Sequence, residues 1–429
     1  MNSKQLIKGA ILSMGVATCS MAAAAQKQPN VLFILVDDLG WNDLGFMGSE
    51  YYETPNIDKL AARGVVFTNA YAACQVSSPS RASILTGQYT TNHGITNFLG
   101  APTGENWRTK NRFTKLTPPE YVENLPLDDS TLPEYLKECG YKTFLAGKWH
   151  LGGEGSYPED HGFDINIGGW DAGSPSGGYF SPWNNPKLPN EIPGENLSMR
   201  LSRETVEFIE QHTRENREQP FFAYLSFYAV HSAIQTTEEK WKYFRDKAEK
   251  MGIADEGFVT RSAMPERQHQ DNPVYAGLVQ QMDDAVGLVL DALEEMGANE
   301  NTLIIFTSDN GGVNSGDNFS TSLKPLRGGK GTQWEGGIRV PLIVATPNGV
   351  GSGNICETPV SGIDFYPTIV DYVGLGQNQD QKVDGVSITP LLSGEEIAER
   401  PLFWHYYNTS PTLDSILLIN KIYSSPCVG

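Results

Sequence analysis

The chain is expected to fold as an α/β protein with a large, mainly parallel (mixed) sheet sandwiched by helices. Three features lead there: continuous apolar runs of strand length, helix-period windows between them, and turn residues at the joins. Val31–Val36 is apolar throughout and ends in Asp37-Asp38, the pattern of a strand buried on both faces. Thr54-Pro55 then opens a helix over Asn56–Arg63, with Thr54 at the N-cap, proline in the first turn and Gly64 as the stop. Val65–Ala70 reads as the next strand. Thr143–Ala146, Phe221–Phe227, Leu303–Thr307 and Leu342–Ala345 repeat the buried-strand pattern. A long helix is predicted over Val274–Met296, where apolar residues recur at Leu278, Met282, Val286, Leu290 and Leu293. Asn97–Pro126 and Gly152–Gly194 lack periodicity. Long loops in a compact domain usually carry function, and Trp170, Tyr179, Phe180 and Trp183 point to ordered walls of a pocket.

Asp and Glu number 51 against 32 Lys and Arg, a net charge of -19. A surface this acidic disfavours nucleic acid and anionic membranes as partners, and an anionic substrate would need cations gathered locally. Lys4 and Lys8 precede an apolar run, Ala10–Ala24, that ends in small residues near Ala25, the pattern of an export signal over residues 1–25. The run is too short and too rich in Ala and Gly for a membrane span, and no later segment reaches spanning length. Losing it removes two lysines and no acid, taking the charge from -19 to -21. An exported, periplasmic chain is expected. Val16-Ala17-Thr18-Cys19 loosely resembles a lipoprotein signal, but cleavage at Ala22–Ala25 fits better. Cys74, Cys139, Cys356 and Cys427 show no paired spacing, so they read as free or buried thiols rather than a disulfide framework or zinc site.

Ligands in open α/β sheets collect at the carboxyl ends of strands. Two such ends are acidic: Asp37-Asp38 and Asp309-Asn310-Gly311-Gly312. Three carboxylates and an amide oxygen form a hard donor set suited to Ca²⁺ or Mg²⁺ rather than zinc, although each motif alone also reads as an Asx turn or helix cap. Ser77-Ser78-Pro79-Ser80-Arg81 is followed by Ala82-Ser83-Ile84-Leu85-Thr86-Gly87. Its plainest reading is a helix start capped by Ser78 or Ser80, with Arg81 on a solvated face.

That segment also resembles the signature of the sulfatase family, the formylglycine-dependent type I enzymes of the alkaline phosphatase superfamily, in which the first residue is Cys or Ser. Gly147-Lys148-Trp149-His150-Leu151-Gly152 is similar to the family's first lysine block. Gly329-Lys330-Gly331-Thr332 with Trp334–Pro341 is similar to its second, and His231 matches the histidine near the leaving group. The resemblance runs from Asn30 to Leu392, within an expected catalytic domain over 26–395. It implies an alkaline-phosphatase-like fold, Ca²⁺ on Asp37, Asp38, Asp309 and Asn310 beside residue 77, and Ser77 oxidised to formylglycine. It also implies that Arg81 steadies that group, Lys148 and Lys330 clamp sulfate, His231 protonates the leaving oxygen and His150 assists elimination. Serine at position 77 resembles the bacterial serine-type polysaccharide sulfatases, implying a radical-type formylglycine-generating maturase as a partner during biosynthesis and a sulfated sugar or oligosaccharide as substrate.

The residues support the same chemistry independently. Cleaving a sulfate monoester needs a nucleophile, cations on the sulfuryl oxygens and an acid for the leaving alcohol. Two alternatives stand beside this reading: a phosphodiesterase or phosphonate monoester hydrolase on the same fold, and an inactive relative that only binds glycans. The family usually ends in a smaller antiparallel subdomain; Arg400–Tyr406 resembles the entry to it, Tyr407–Gly429 does not match, and residues 396–429 are assigned to this region. They read as a truncated or frameshifted remnant, or as a short variant with Ile416–Tyr423 as an edge strand.

Overall fold

The apolar runs all become strands of one nine-stranded sheet. In chain order the strands are β1 (Asn30–Val36), β2 (Val65–Tyr71), β3 (Lys142–Gly147), β4 (Ile165–Ile167), β5 (Phe221–Ser226), a separate hairpin of β6 (Phe258–Thr260) and β7 (Pro265–Arg267), then β8 (Thr302–Ser308), β9 (Arg339–Ala345), β10 (Ile355–Cys356) and β11 (Val360–Ser361). The computed structural model describes residues 27–110, 117–254, 257–260, 265–316 and 319–406. The export signal, Cys19, Cys427 and Ile416–Tyr423 lie outside the described residues.

The sheet order is β10-β2-β9-β8-β1-β5-β3-β4, with β11 also on β2. Only β9 runs against its neighbours, β2 and β8; every other pairing in the sheet is parallel. Its reversal brings the start of β9, and the loop before it, to the same edge as the carboxyl ends of β1, β3, β5 and β8.

Both faces of the sheet are buried, which is why its strands are apolar throughout rather than alternating. Leu32, Ile34 and Val36 of β1 pack with Phe144, Ala223, Leu225, Ile304 and Phe306 in one core. Val31, Phe33 and Leu35 pack with Leu145, Phe222, Tyr224, Leu303 and Ile305 in the other. The helices divide between the two: α1 (Pro55–Arg63) and, later in the chain, Leu197–Glu215 and Pro273–Glu295 cover the first face, while Ser77–Thr86 and Phe365–Tyr372 cover the second. No helix among the described residues is long and apolar enough to cross a membrane.

The start of α1 is held differently from the sequence expectation. Thr54 makes no side-chain cap. Its hydroxyl instead accepts the Gly45 amide at 2.8 Å and donates to Asp58 at 3.0 Å. The first helical amides, of Asn56 and Ile57, go to the Asp283 carboxylate at 3.1 and 2.8 Å. A tertiary contact from Pro273–Glu295 thus does the capping that a local residue was expected to do. Gly64 does end α1, but in an extended conformation. The glycine is needed for space: a Cβ there would lie 2.8 Å from the Val344 carbonyl oxygen of β9.

Near the end of the described chain, Leu402 and Trp404 pack on Tyr71 and Ile338, and the Trp404 indole donates to Ala72 O at 2.8 Å. At the β10 edge Ile355 is 69 % exposed. Cys74, Cys139 and Cys356 are free thiols.

Because Asp283 satisfies two first-turn amides of α1, Asp283→Ala is expected to destabilise the fold by about 1–2 kcal/mol, the usual worth of an N-cap. The check is a urea melt: the midpoint should fall with the slope unchanged.

Candidate active site

Six chain segments converge at the carboxyl edge of the sheet. Asp37 and Asp38 follow β1, Lys148 and His150 follow β3, Ser226 ends β5, and Asp309 and Asn310 follow β8. Ser77 opens the helix Ser77–Thr86, and Lys330 lies in the loop before β9. The turn out of β3 depends on Gly147, at φ 108°, whose Cβ would meet Ser226 O at 1.8 Å. Glycine alone lets Lys148 N reach Ser226 O at 2.8 Å and turn its side chain into the site. Asp38 and His150 also have positive φ, 64° and 57°, an uncommon conformation for side-chain-bearing residues that clusters at functional sites.

The plain helix-start reading of Ser77–Gly87 does not survive the structure. Val76 holds the cap position, neither Ser78 nor Ser80 caps, and Arg81 is fully buried. Arg81 Nε donates to Asp309 Oδ2 at 2.8 Å, and Nη1 donates to Ser226 Oγ at 2.6 Å and Lys148 O at 3.2 Å. Ser77 Oγ lies 3.1 Å from Asp37 Oδ1, 3.3 Å from Asn310 Oδ1 and 3.3 Å from Lys148 Nζ. Lys148 Nζ pairs with Asp37 Oδ2 at 2.5 Å, and Lys330 Nζ pairs with Asp38 Oδ2 at 2.8 Å. Asn310 donates from Nδ2 to Asp38 Oδ1 at 2.8 Å and Gly311 O at 3.0 Å, so its oxygen is the atom facing Ser77. The acids, Ser77, Arg81 and the two lysines singled out from the sequence therefore meet in one place.

Burial and charge set the protonation of these groups. Burial pushes Asp37 up to about 7 despite Lys148, and burial also lowers Lys148. For Asp38 burial is overridden by Lys330, His231 and Lys148, which hold it well below the carboxylate range. Asp309 is likewise lowered, by Arg81 and Lys148 against burial. Lys330 is raised by Asp38 and Asp37 despite its burial. His150 is driven well below its ordinary value by burial and then by Lys148 and Arg81, so its ring is neutral. Its Nε2 lies 3.3 Å from Leu99 O, an acceptor only, and so carries the proton; buried Nδ1 has no partner. His231 is lowered to about 4 by burial and Lys330. Its Nδ1 donates to Ser232 O at 2.6 Å, and Nε2 stands 3.7 Å from Asp38.

The donor set fits a hard divalent cation. Asp37, Asp38 and His231 bring one donor atom each within 4.8 Å of one another, the Ser77 oxygen stands beside Asp37, and the Asn310 oxygen stands beside Ser77. Asp309 is tied more closely to Arg81, and receives the Asp38 amide at 3.3 Å.

Ser77, His150, His231 and Lys330 line a cavity of about 440 Å³ with Phe98, Leu99, Gly173, Ser174, Ser315 and Tyr406. The irregular stretches do supply walls, but not through the aromatics expected. Tyr179 and Trp183 are core residues, and Tyr179 supports the site from behind by donating to Tyr228 O and His231 O at 2.8 and 2.7 Å. Trp170 and Phe180 are not among the lining residues.

Two supporting residues escaped the sequence reading. Ser226 bridges Arg81 and the Lys148 carbonyl, to which it donates at 2.7 Å. As the polar end of a predicted apolar strand it carried the same signal that flagged Asp37. Asp43 accepts from Gly40 N, Gln270, Tyr275 and Thr321 at 2.6–3.1 Å and fixes the loop after Asp38; burial pushes it up to about 6. Its side-chain donors are distant in sequence, and only the Gly40 amide is local.

A buried hydroxyl among cations and acids, lining a cavity on an α/β sheet edge, defines a hydrolase of anionic esters. The sulfatase family profile matches residues 29–375, and the chain belongs to that family. It is a sulfuric ester hydrolase. It is 32% identical over 412 residues to mouse N-acetylgalactosamine-6-sulfatase, covering 91% of this chain and 71% of that one. To a sulfatase of Formosa agariphila it is 33% identical over 475 residues, covering 94% and 80%. The solved structure of Ps i-CgsB in complex with k-i-k-neocarrahexaose superimposes with a TM-score of 0.72 at 28% identity, covering 89% of this chain and 80% of that one.

Ser226→Ala removes an acceptor from Arg81 and a donor from the Lys148 carbonyl without touching the cavity. It is expected to lower kcat/KM on an aryl sulfate about tenfold, the worth of one charge-assisted bond, while the melting curve stays close to the parent's.

Proposed function

We propose that this chain removes sulfate from a sugar of a sulfated glycan, with formylglycine made from Ser77 as nucleophile and Ca²⁺, or Mg²⁺, as its metal. The observation that carries the reading is Ser77 Oγ, buried at the start of its helix within 3.3 Å of Asp37, Asn310 and Lys148, at the floor of the cavity that His150, His231 and Lys330 share. The glycan relatives and the oligosaccharide-bound neighbour support a sugar as the leaving group.

Asp37, Asp38, Asp309 and Asn310 would hold the metal, which supplies charge to the sulfuryl oxygens. The hydrated aldehyde supplies two hydroxyls, one to attack sulfur and one whose later deprotonation expels sulfate, a route that unmodified serine lacks. Arg81, fixed by Asp309 and Ser226, keeps its buried Nη2 without a hydrogen-bond partner, 4.0 Å from Asp37 Oδ1, and a ligand oxygen would be its acceptor. Lys148 and Lys330 enter from opposite sides of the acids and clamp sulfate. His150 presents its unpartnered Nδ1 to take a proton in the elimination step. His231, with Nδ1 committed to Ser232 O, has Nε2 left for the leaving oxygen, and it acts as the acid in its doubly protonated form, which neighbouring Asp38 and the incoming sulfate anion favour. A radical-type maturase acts on Ser77 before export to the periplasm.

Made with a serine-type maturase, the peptide spanning Ser77 should lose two hydrogens in its mass spectrum. An active enzyme whose Ser77 is wholly unmodified contradicts the proposal. Aryl phosphate assayed in parallel with aryl sulfate tests the phosphoester alternative, and sulfate should be the better substrate.

His231→Ala separates proton transfer from anion binding. A sugar alkoxide needs a proton to leave, whereas nitrophenolate leaves without one. The variant should lose on the order of 10²–10⁴-fold in kcat on the sugar sulfate and far less on 4-nitrophenyl sulfate. Equal losses on both would remove His231 from the acid role.

A further inference from the structure

The wall of the catalytic cavity has a second side. Val313, Ser315 and Lys330 face the cavity that holds Ser77, while Asn314 and Arg327 line a neighbouring one of about 300 Å³. The two wall segments are packed tightly: a Cβ on Gly329 would meet Asn314 Oδ1 at 2.3 Å, and Lys330 N donates to Gly312 O at 2.9 Å. Lys324, Gln268, Arg267 and Glu266 complete the polar lining.

The charges there run against the chain's net charge of -19. Several half-buried cations elsewhere are met by acids, as in Lys187–Glu159 at 2.8 Å, Lys240–Asp284 at 3.0 Å and Arg245–Glu249 at 3.0 Å. Arg267 is held by Asp271. Lys324 and Arg327 are exposed and have no carboxylate partner among the described residues, and Glu266 is the sole acid in the lining. The Arg327 guanidinium instead lies 3.5 Å from the centroid of the Trp334 ring. Stacking fixes the plane of the guanidinium and leaves its edge N–H groups free, the arrangement that binds an oxyanion through two parallel hydrogen bonds. The Asn314 and Gln268 amides add neutral donors beside it.

We propose that this cavity is a second anion subsite, which takes a sulfate on a neighbouring sugar while Ser77 addresses the ester to be cleaved. The substrate class is then a multiply sulfated oligosaccharide, not a singly sulfated one. The inference rests on the proposed sugar-sulfatase function, and its test keeps the two apart. Matured full-length enzyme turns over 4-nitrophenyl sulfate while oligosaccharides compete. The competitors are pairs of equal length and linkage differing only in one or two sulfates per disaccharide, drawn from carrageenan and from chondroitin sulfate. Turnover of 4-nitrophenyl sulfate by the parent tests the esterase reading by itself.

In the parent the more sulfated member of at least one pair should inhibit about tenfold more tightly, as expected for charge-assisted contacts. In Lys324→Ala/Arg327→Ala that ratio should fall to about one, and Arg327→Lys should keep part of it because the charge remains. The ratio is read within each protein, so any change in basal turnover cancels. A parent that shows no preference for the more sulfated member of any pair overturns the subsite. So does a double variant that keeps the parent's ratio.

Discussion

Three buried ion pairs at the edge of the sheet hold this molecule to its purpose: Asp37 with Lys148, Asp38 with Lys330 and Asp309 with Arg81. Charges cut off from water are costly unless each finds a counter-charge and hydrogen bonds. Here the formal charges balance, three against three. The pairs come from segments distant in sequence, so no single segment can be altered without stranding a partner in the interior. A dication added to this balanced set leaves an excess of positive charge, and a sulfate group offsets it. Metal and anion would therefore support each other's binding, and the protein part is spared a large uncompensated charge.

The rest of the fold serves that cluster. A sheet buried on both faces is rigid because each strand packs into two cores at once. Parallel strands deliver their carboxyl ends to one edge, and the single reversed strand, β9, brings the Lys330 loop to the same place. Strain gathers where the chemistry is placed: of the three non-glycine residues with positive φ among the described residues, two lie at the site. Asp38 and His150 adopt positive φ there, and Gly147 permits a backbone approach that any side chain would block. Tyr179 and Asp43 lock the loops from behind, so the acids are oriented by groups that never face the cavity.

Electrostatics also resolve how an acidic chain handles an anion. The net charge of -19 is spread over the surface, where solvent and salt screen it. Arg81, Lys148 and Lys330 act inside, at contact distance and with little screening, and local charge outweighs the distant field. Lys324 and the stacked Arg327 extend this cationic region outward on the far side of one shared wall.

The sequence by itself determined the six long strands, the long helix and most of the residues that meet at the site. Both kinds of signal are local: a strand covered on two faces must be apolar along its whole length, and polar residues at its end stand out against it. Asp37, Asp38, Asp309 and Ser226 all carry that mark, and the Ser77–Gly87 signature added the residue they surround. Tertiary structure decided what depends on distant partners. Asp283, not Thr54, caps α1, because the amides of Asn56 and Ile57 face Pro273–Glu295. Arg81 is buried, not solvated, because Asp309 and Ser226 wait for it across the sheet edge. Tyr179 and Trp183 went to the core, not the pocket, because composition reveals that an aromatic side chain will be ordered but not which side of a loop it will fill.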